Sequence, residues 1–278
     1  MNIRDITPAD LDRLRALAPD DTHIDGHAGV IGTSVDHAVL WRDGVHPLTD
    51  RRERQFVQLA DRPPVHWQDL LRAALAALPH DISQVRVEVR PSDHGGAFGD
   101  ALRASGFVDQ ILRIRKDIAD IAEPDLPAET CIRQLAAGEE HFAVHCVSRA
   151  ITQALDAPVP PSRVSQFVSD WLNDGWSAQT LRSYVVECAG VLVAHALVSL
   201  DGSAGELVDV VIPNDDQRSR GWSRVLSTFV EARLSREGVS LLGGTVVTPN
   251  GVYPNQLVKN LTRAGWRVES VSMIRKTR

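Results

Sequence analysis

The strongest constraint on this chain is that it closes twice in the same way. Leu102-Arg-Ala-Ser-Gly106-Phe107, followed by Ile114-Arg115-Lys116, recurs as Leu261-Thr-Arg-Ala-Gly265-Trp266, followed by Ile274-Arg275-Lys276. In each copy a helical run stops at a glycine suited to the left-handed residue that ends a helix, and a strand-like run follows. The openings agree as well. Ile3-Arg4-Asp5-Ile6 precedes a helical pattern from Pro8 to Leu17, with Thr7 and Asp10 at capping-box spacing, and Cys131 to Leu135 precedes another from Glu139 to Ala150. Between the copies, residues 118–130 read IADIAEPDLPAET, where two prolines and four acids interrupt the hydrophobic patterning. The chain therefore reads as two related domains, 1–118 and 130–278, joined by a linker at 119–129.

Length and composition agree with that reading. At 278 residues, 43% hydrophobic and 24% charged, the chain has the make-up of two globular domains. A net charge of −6 provides no overall positive field for nucleic acid or anionic lipid. The longest nearly apolar run, Val191 to Leu200, is about half the roughly 20 residues of a membrane-spanning helix and reads as a buried strand. No charged-then-apolar leader opens the sequence, so a cytoplasmic protein with neither nucleic-acid nor membrane partners is expected. Cys131, Cys146 and Cys188 lack CxxC spacing, which fits reduced thiols and neither a disulfide framework nor a zinc knuckle.

The second half is the more legible. Ser183 to Cys188 and Val191 to Leu200 form a hairpin about Ala189-Gly190, and Glu206 to Ile212 is a further strand. A polar loop then leads into a helix bearing Val225, Leu226, Phe229 and Val230 on one face, followed by a strand from Leu241 to Val247. The loop ends Arg218-Ser219-Arg220-Gly221-Trp222-Ser223. A basic, small-residue turn at a helix start combines unpaired amides with the positive end of the helix dipole, which suits a phosphate.

This segment resembles the phosphate loop of the GNAT superfamily of acyl-CoA-dependent N-acyltransferases, Gln/Arg-x-x-Gly-x-Gly/Ala, departing from it only in Ser223. The order of elements is similar to that family from Thr130 to Arg278, with Gly265-Trp266 where the family usually has Gly-Phe. The first half resembles the same fold at its two ends, but Asp61-Arg-Pro-Pro-Val-His66 stands in place of the loop and has no glycine. The resemblance implies an α/β chain of two tandem GNAT-like domains, each a mixed, mostly antiparallel sheet flanked by helices, with only the second catalytic.

What the resemblance implies for function is an N-acetyltransferase that moves an acetyl group from acetyl-CoA, as co-substrate and without metal, to a primary amine of a small molecule by direct attack on the thioester. The pantetheine arm would bond along Val210, Val211 and Ile212, and the pyrophosphate would rest on Arg218, Ser219, Arg220, Gly221, Trp222 and Ser223. Asn250 and Asn255 compete for the family asparagine that contacts the arm. Glu206 and Asp209 are the strand carboxylates nearest the acyl position; their opposite parity keeps them from sharing a face unless a bulge intervenes, and Asp209 is preferred as base. Leu261 stands where the family often has an acidic tyrosine; Tyr253 is the substitute candidate, with packing as its other reading. Three alternatives stay open: an acyl-CoA sensor without transferase activity, a protein N-acetyltransferase, and an enzyme for longer acyl chains. The first half can shape the acceptor pocket, support a homodimer or assist folding.

Weaker constellations read as structure. His141 and His145 beside Cys146 lack a third metal ligand, and His94-Gly95-Gly96 with Gly99 form a turn to which no ligand is assigned. His195, inside an apolar strand, reads as a hydrogen-bonded core histidine. Trp171 and Trp176 can form either a substrate wall or core.

Overall fold

The capping box at the first helix forms as expected. Helix α1, Pro8–Arg15, starts where the Thr7 amide donates to Asp10 at 2.9 Å and the Asp10 amide donates to the Thr7 hydroxyl at 3.4 Å. Arg4 clamps the same carboxylate through two bonds, at 2.6 and 2.9 Å, and holds it well below the usual carboxylate range. At the far end of each half, Gly106 and Gly265 adopt the left-handed φ of 86° and 88° that stops a helix. The computed structural model describes residues 4–15, 28–31, 38–57, 67–155, 157–213, 221–247 and 255–277.

Two compact units result. The first gathers the described residues up to Leu112 with those from Glu269 onward, and the second gathers those from Arg113 to Val268. The sheet of the first runs in the order β1 (Arg4–Asp5), β2 (Ala28–Ile31), β3 (Ala38–Val45), β4 (Arg52–Val57), β5 (Ile82–Val89) and β12 (Arg267–Lys276). Neighbours are antiparallel except β4 and β5, which are parallel. Helices α2 (Trp67–Ala76), α3 (Pro91–His94) and α4 (Ala97–Ala104) complete this unit.

The second unit repeats the plan. Its order is β7 (Thr130–Gln134), β8 (Leu181–Cys188), β9 (Val191–Asp201), β10 (Ala204–Val211), β11 (Leu241–Val247) and β6 (Val108–Asp117). The first three pairs are antiparallel, and β10 with β11 is parallel. Helices α5 (Glu140–Ala154) and α6 (Pro161–Ser177) pack an apolar core onto Leu181, Leu197 and Val208 on one face. Helix α7 (Trp222–Arg236) covers the other, setting Phe229 against Tyr184 with ring centroids 6.1 Å apart. Helix α8 (Asn255–Arg263) leads into the final strand. Among the described residues, no helix is long and apolar enough to cross a membrane.

Packing departs from the segmentation 1–118, 119–129 and 130–278 at the last strand of each half. From Arg113, β6 lies in the second unit beside β11; from Glu269, β12 lies in the first, paired antiparallel to β5 from Val271↔Val89 to Lys276↔Gln84. The physical reason is that a sheet edge bonds a strand through its backbone, and Ile114-Arg115-Lys116 and Ile274-Arg275-Lys276 are nearly the same strand. Nothing in the pattern says which edge receives which copy.

In its adopted place β6 is tied to α7 by Lys116, whose ammonium donates to Glu231 at 2.5 Å with both side chains mostly buried. Removing one partner leaves a buried charge uncompensated. Glu231→Ala is expected to cost about 3 kcal/mol in urea unfolding, and the double variant Lys116→Met with Glu231→Leu to recover most of it.

Candidate functional site

The site begins as an interrupted ladder. Parallel pairing of β10 with β11 runs from Ala204↔Leu241 to Leu207↔Gly244 and ends there, although β10 continues to Val211 and β11 to Val247. On its other side β10 stays paired with β9 as far as Val211↔His195. The two parallel strands therefore part, and the β11-facing edge of β10 is left out of the ladder past Leu207. The equivalent pair in the first unit, β4 with β5, has its register shift at the start, between Arg52 and Glu53, and is then paired through Phe56↔Val87, one residue short of the described end of β4 at Val57.

A β-bulge between Leu207 and Asp209 sits where the strands part. It resolves the parity of the two carboxylates. Glu206 pairs with Ser199 and Asp209 with Leu197, two residues apart on β9, so both side chains project from the face covered by α5 and α6. Glu206 accepts a bond from the Thr245 hydroxyl of β11 at 3.2 Å and has Arg113 of β6 at 3.9 Å. Asp209 is more enclosed; burial pushes its carboxyl up to about 6, against a smaller opposing effect from the Val210 amide, which donates to it. A carboxylate of that kind takes up protons near neutrality. Val210 and Val211 follow directly and carry the strand to its end, with Ile212 just beyond it.

Ahead lies the start of α7. Gly221 caps it with φ 71° and ψ 19°, a conformation that a side chain disfavours, and open space surrounds the place a Cβ would occupy. Its carbonyl accepts from the Arg224 and Val225 amides at 3.1 and 3.2 Å. As at any helix start, the first amides find no acceptor within the helix. Trp222 is buried, whereas Ser223 is exposed. Arg218, Ser219, Arg220, Asn250 and Tyr253 lie outside the described residues; Asn255 is the first residue of α8.

From Ser223 a groove of about 980 Å³ runs between α7 and α8, lined by Ser223, Arg224 and Thr228 on one wall and by Asn260, Leu261 and Arg263 on the other. Neither Arg224 nor Arg263 has an ion-pair partner among the described residues. Arg263 and Arg113 carry no local sequence signal: the first emerges from α8 packing beside α7, and the second arrives on the strand contributed by the other half.

The remaining candidates do not line this groove. His141 and His145 are exposed on α5, while Cys146 is buried and its thiol is pushed up to about 12, chiefly by burial and further by the Asp209 charge. Trp171 and Trp176 pack against the α5 and α6 core. His195 is fully buried as expected, but neither ring nitrogen has a hydrogen-bond partner among the described protein groups, contrary to a satisfied core histidine.

No protein-family model matches the sequence, and no curated protein matches it. Solved structures do. A GCN5-related N-acetyltransferase from Sphaerobacter thermophilus is similar over 99% of this chain and 95% of its own, with a TM-score of 0.60 at 16% identity. A GNAT-family acetyltransferase from Colwellia psychrerythraea is similar over 100% of both chains, with a TM-score of 0.55 at 13% identity. A tandem GNAT protein from the clavulanic acid biosynthesis pathway is similar over 98% of this chain and 88% of its own, with a TM-score of 0.50 at 16% identity. The chain has the GCN5-related N-acetyltransferase fold, a mixed sheet flanked by helices, and has it in tandem.

The enclosure of Asp209 has a consequence for stability. A carboxyl whose folded value is raised above its unfolded value favours folding while protonated, and that contribution is lost as pH rises from about 4 through about 6. Asp209→Asn is therefore expected to gain on the wild type across this range, by about 3 kcal/mol at pH 7, in chemical unfolding followed against pH.

Proposed function

We propose that the chain is an acetyl-CoA-dependent N-acetyltransferase acting on a primary amine of a small molecule, with the chemistry in the second unit. The observation that carries this is the parting of β10 from β11 directly ahead of a glycine-capped helix start. Such an opening offers a strand edge to an extended amide-bearing arm, and the helix start offers amides to a diphosphate. In this reading the pantetheine arm lies along Val210 to Ile212, the pyrophosphate meets residues 218–223, and the nucleotide end follows the groove past Arg224 and Arg263.

The transfer needs no covalent enzyme intermediate. The free amine attacks the thioester carbonyl, a backbone amide of β10 stabilises the oxyanion, and collapse breaks the C–S bond to release CoA. Asp209, ionised above about pH 6, takes the proton that the amine gives up, and the departing thiolate is protonated as it leaves. Glu206, on the same face and nearer Arg113, assists in holding a cationic acceptor. Leu261 cannot donate a proton, and Tyr253 is the candidate acid in its stead. The fold suits a cytoplasmic enzyme, and acceptance of a protein amine or a longer acyl chain is compatible with it.

A second reading, an acyl-CoA-binding sensor without transfer, is favoured specifically by Leu261, which stands where the family often has an acidic tyrosine and has no proton to give. The two are separated by measuring binding and turnover together. Wild-type protein is expected to bind acetyl-CoA in calorimetry and to release CoA thiol only when an amine is present. Gly221→Glu is expected to abolish both, through strain at φ 71° and repulsion of phosphate, while Arg224→Ala and Arg263→Ala each weaken binding about tenfold. Binding without amine-dependent release across a broad amine panel would select the sensor, and turnover undiminished in Gly221→Glu would overturn the site assignment.

A further inference from the structure

Beneath α5 the sheet of the second unit is apolar at Leu181, Leu197 and Val208, yet one patch on the same face is polar and unsatisfied. His195, in the middle of β9 and 0% exposed, has no partner at Nδ1 or Nε2 among the described protein groups. The hydroxyls of Ser183 on β8 and Ser148 on α5 are buried and unpartnered as well. Leaving such groups unmet is costly, so the three such atoms of His195 and Ser183, on neighbouring strands, call for a physical account.

Register brings the polar residues together. His195 pairs with Val185 on β8 and with Val211 on β10. Ser183 and Asp209, each two residues away from those partners, are therefore its diagonal neighbours on the same face. Phe142 of α5 lies edge-on to the imidazole, with ring centroids 6.5 Å apart, and Cys146 one turn later is close enough to Asp209 to sense its charge. Diagonal neighbours stand about 7 Å apart, too far for a direct bond between short side chains. One bridging water spans about 5.5 Å between polar atoms, twice an ordinary hydrogen-bond length.

We propose that His195 is a positioning residue for Asp209: buried water held under α5 links its imidazole N–H to the Asp209 carboxylate and its second nitrogen toward the Ser183 hydroxyl, aiming the carboxylate at the opening between β10 and β11. Burial pushes the imidazole down to about 4, so it acts as a neutral donor throughout the range in which Asp209 titrates. Among the described residues, the other titratable or charged groups near Asp209 are Cys146 and Arg149 on α5 and Glu206 on β10, the last with Arg113 of β6 beside it. Arg149 is bonded to the Pro213 carbonyl and Cys146 stays a neutral thiol, while from β9 the register places His195 to donate toward the carboxylate. The inference rests on the reading of Asp209 as the proton acceptor, but its test does not need turnover.

The titration of the Asp209 carboxyl is followed by carbon-13 NMR in the wild type, His195→Gln and His195→Leu. Loss of the donor in His195→Leu is expected to raise the midpoint by about one pH unit, while His195→Gln, which can still donate, stays within about 0.3 of the wild type. Equal midpoints in all three proteins, or equal shifts in both variants, would overturn the proposal. In the unaltered protein, a ring N–H of His195 is expected to show a cross-relaxation peak to bound water, and its absence would overturn the proposal without any variant having to fold. If acetyl transfer is measurable, the acid limb of kcat moves with the Asp209 midpoint. A protein that transfers nothing but shows the NMR shifts would refute the transferase reading and leave the linkage standing.

Discussion

Everything at the candidate site depends on one change of register. Four residue pairs join β10 to β11, a bulge follows, and the strands part. The bulge inserts one residue, so it both turns Asp209 onto the face of Glu206 and frees the edge of β10 from its parallel neighbour. Had the ladder continued, the backbone of residues 208–211 would be spent on pairing and the carboxylates would face opposite sides. The β9 side keeps its pairing to Val211, which is what holds the opened edge rigid.

The first unit shows the same topology, but its register shift falls at the start of the parallel pair, between Arg52 and Glu53, and the pair runs on to Phe56↔Val87. β4 and β5 stay zipped, and the residues that would lead to a helix start include Pro63 and Pro64, which lack amide donors. Its sheet order, its capped α1 and its glycine-terminated α4 match the second unit closely, so shared architecture does not imply shared chemistry. What the first half does supply is a strand: β6 brings Arg113 to Glu206 and Lys116 to Glu231.

Much of the fold was legible because local signals were strong. Thr7 with Asp10, Ala189-Gly190 at φ 48° and 78°, and Gly106 and Gly265 each specify a cap or turn through their own backbone chemistry, and the elements they bound fall where periodicity puts them. The phosphate-loop pattern located the start of α7, and parity identified Glu206 and Asp209 as a pair that needed a bulge. The bulge itself carries no residue signature, since Leu207, Val208 and Asp209 are ordinary strand residues. The exchange of β6 and β12 is likewise invisible in sequence, because two similar strands compete for two similar edges. Helix α6 and strand β3 carry misleading local signals: β3 runs into Arg42-Asp43-Gly44, whose charge hides an exposed strand end, and α6 carries Asn173-Asp174-Gly175, which locally favours a turn but here packs Gly175 closely on Leu181.

The most direct measurement of the central claim, that the parted strands receive the thioester arm, is backbone hydrogen exchange with and without acetyl-CoA. Amides of residues 208–212 and of the first turn of α7 are expected to slow together by about tenfold or more, with β4 and β5 of the first unit unchanged. Protection that spares residues 208–212, or that appears equally at β4 and β5, would contradict it.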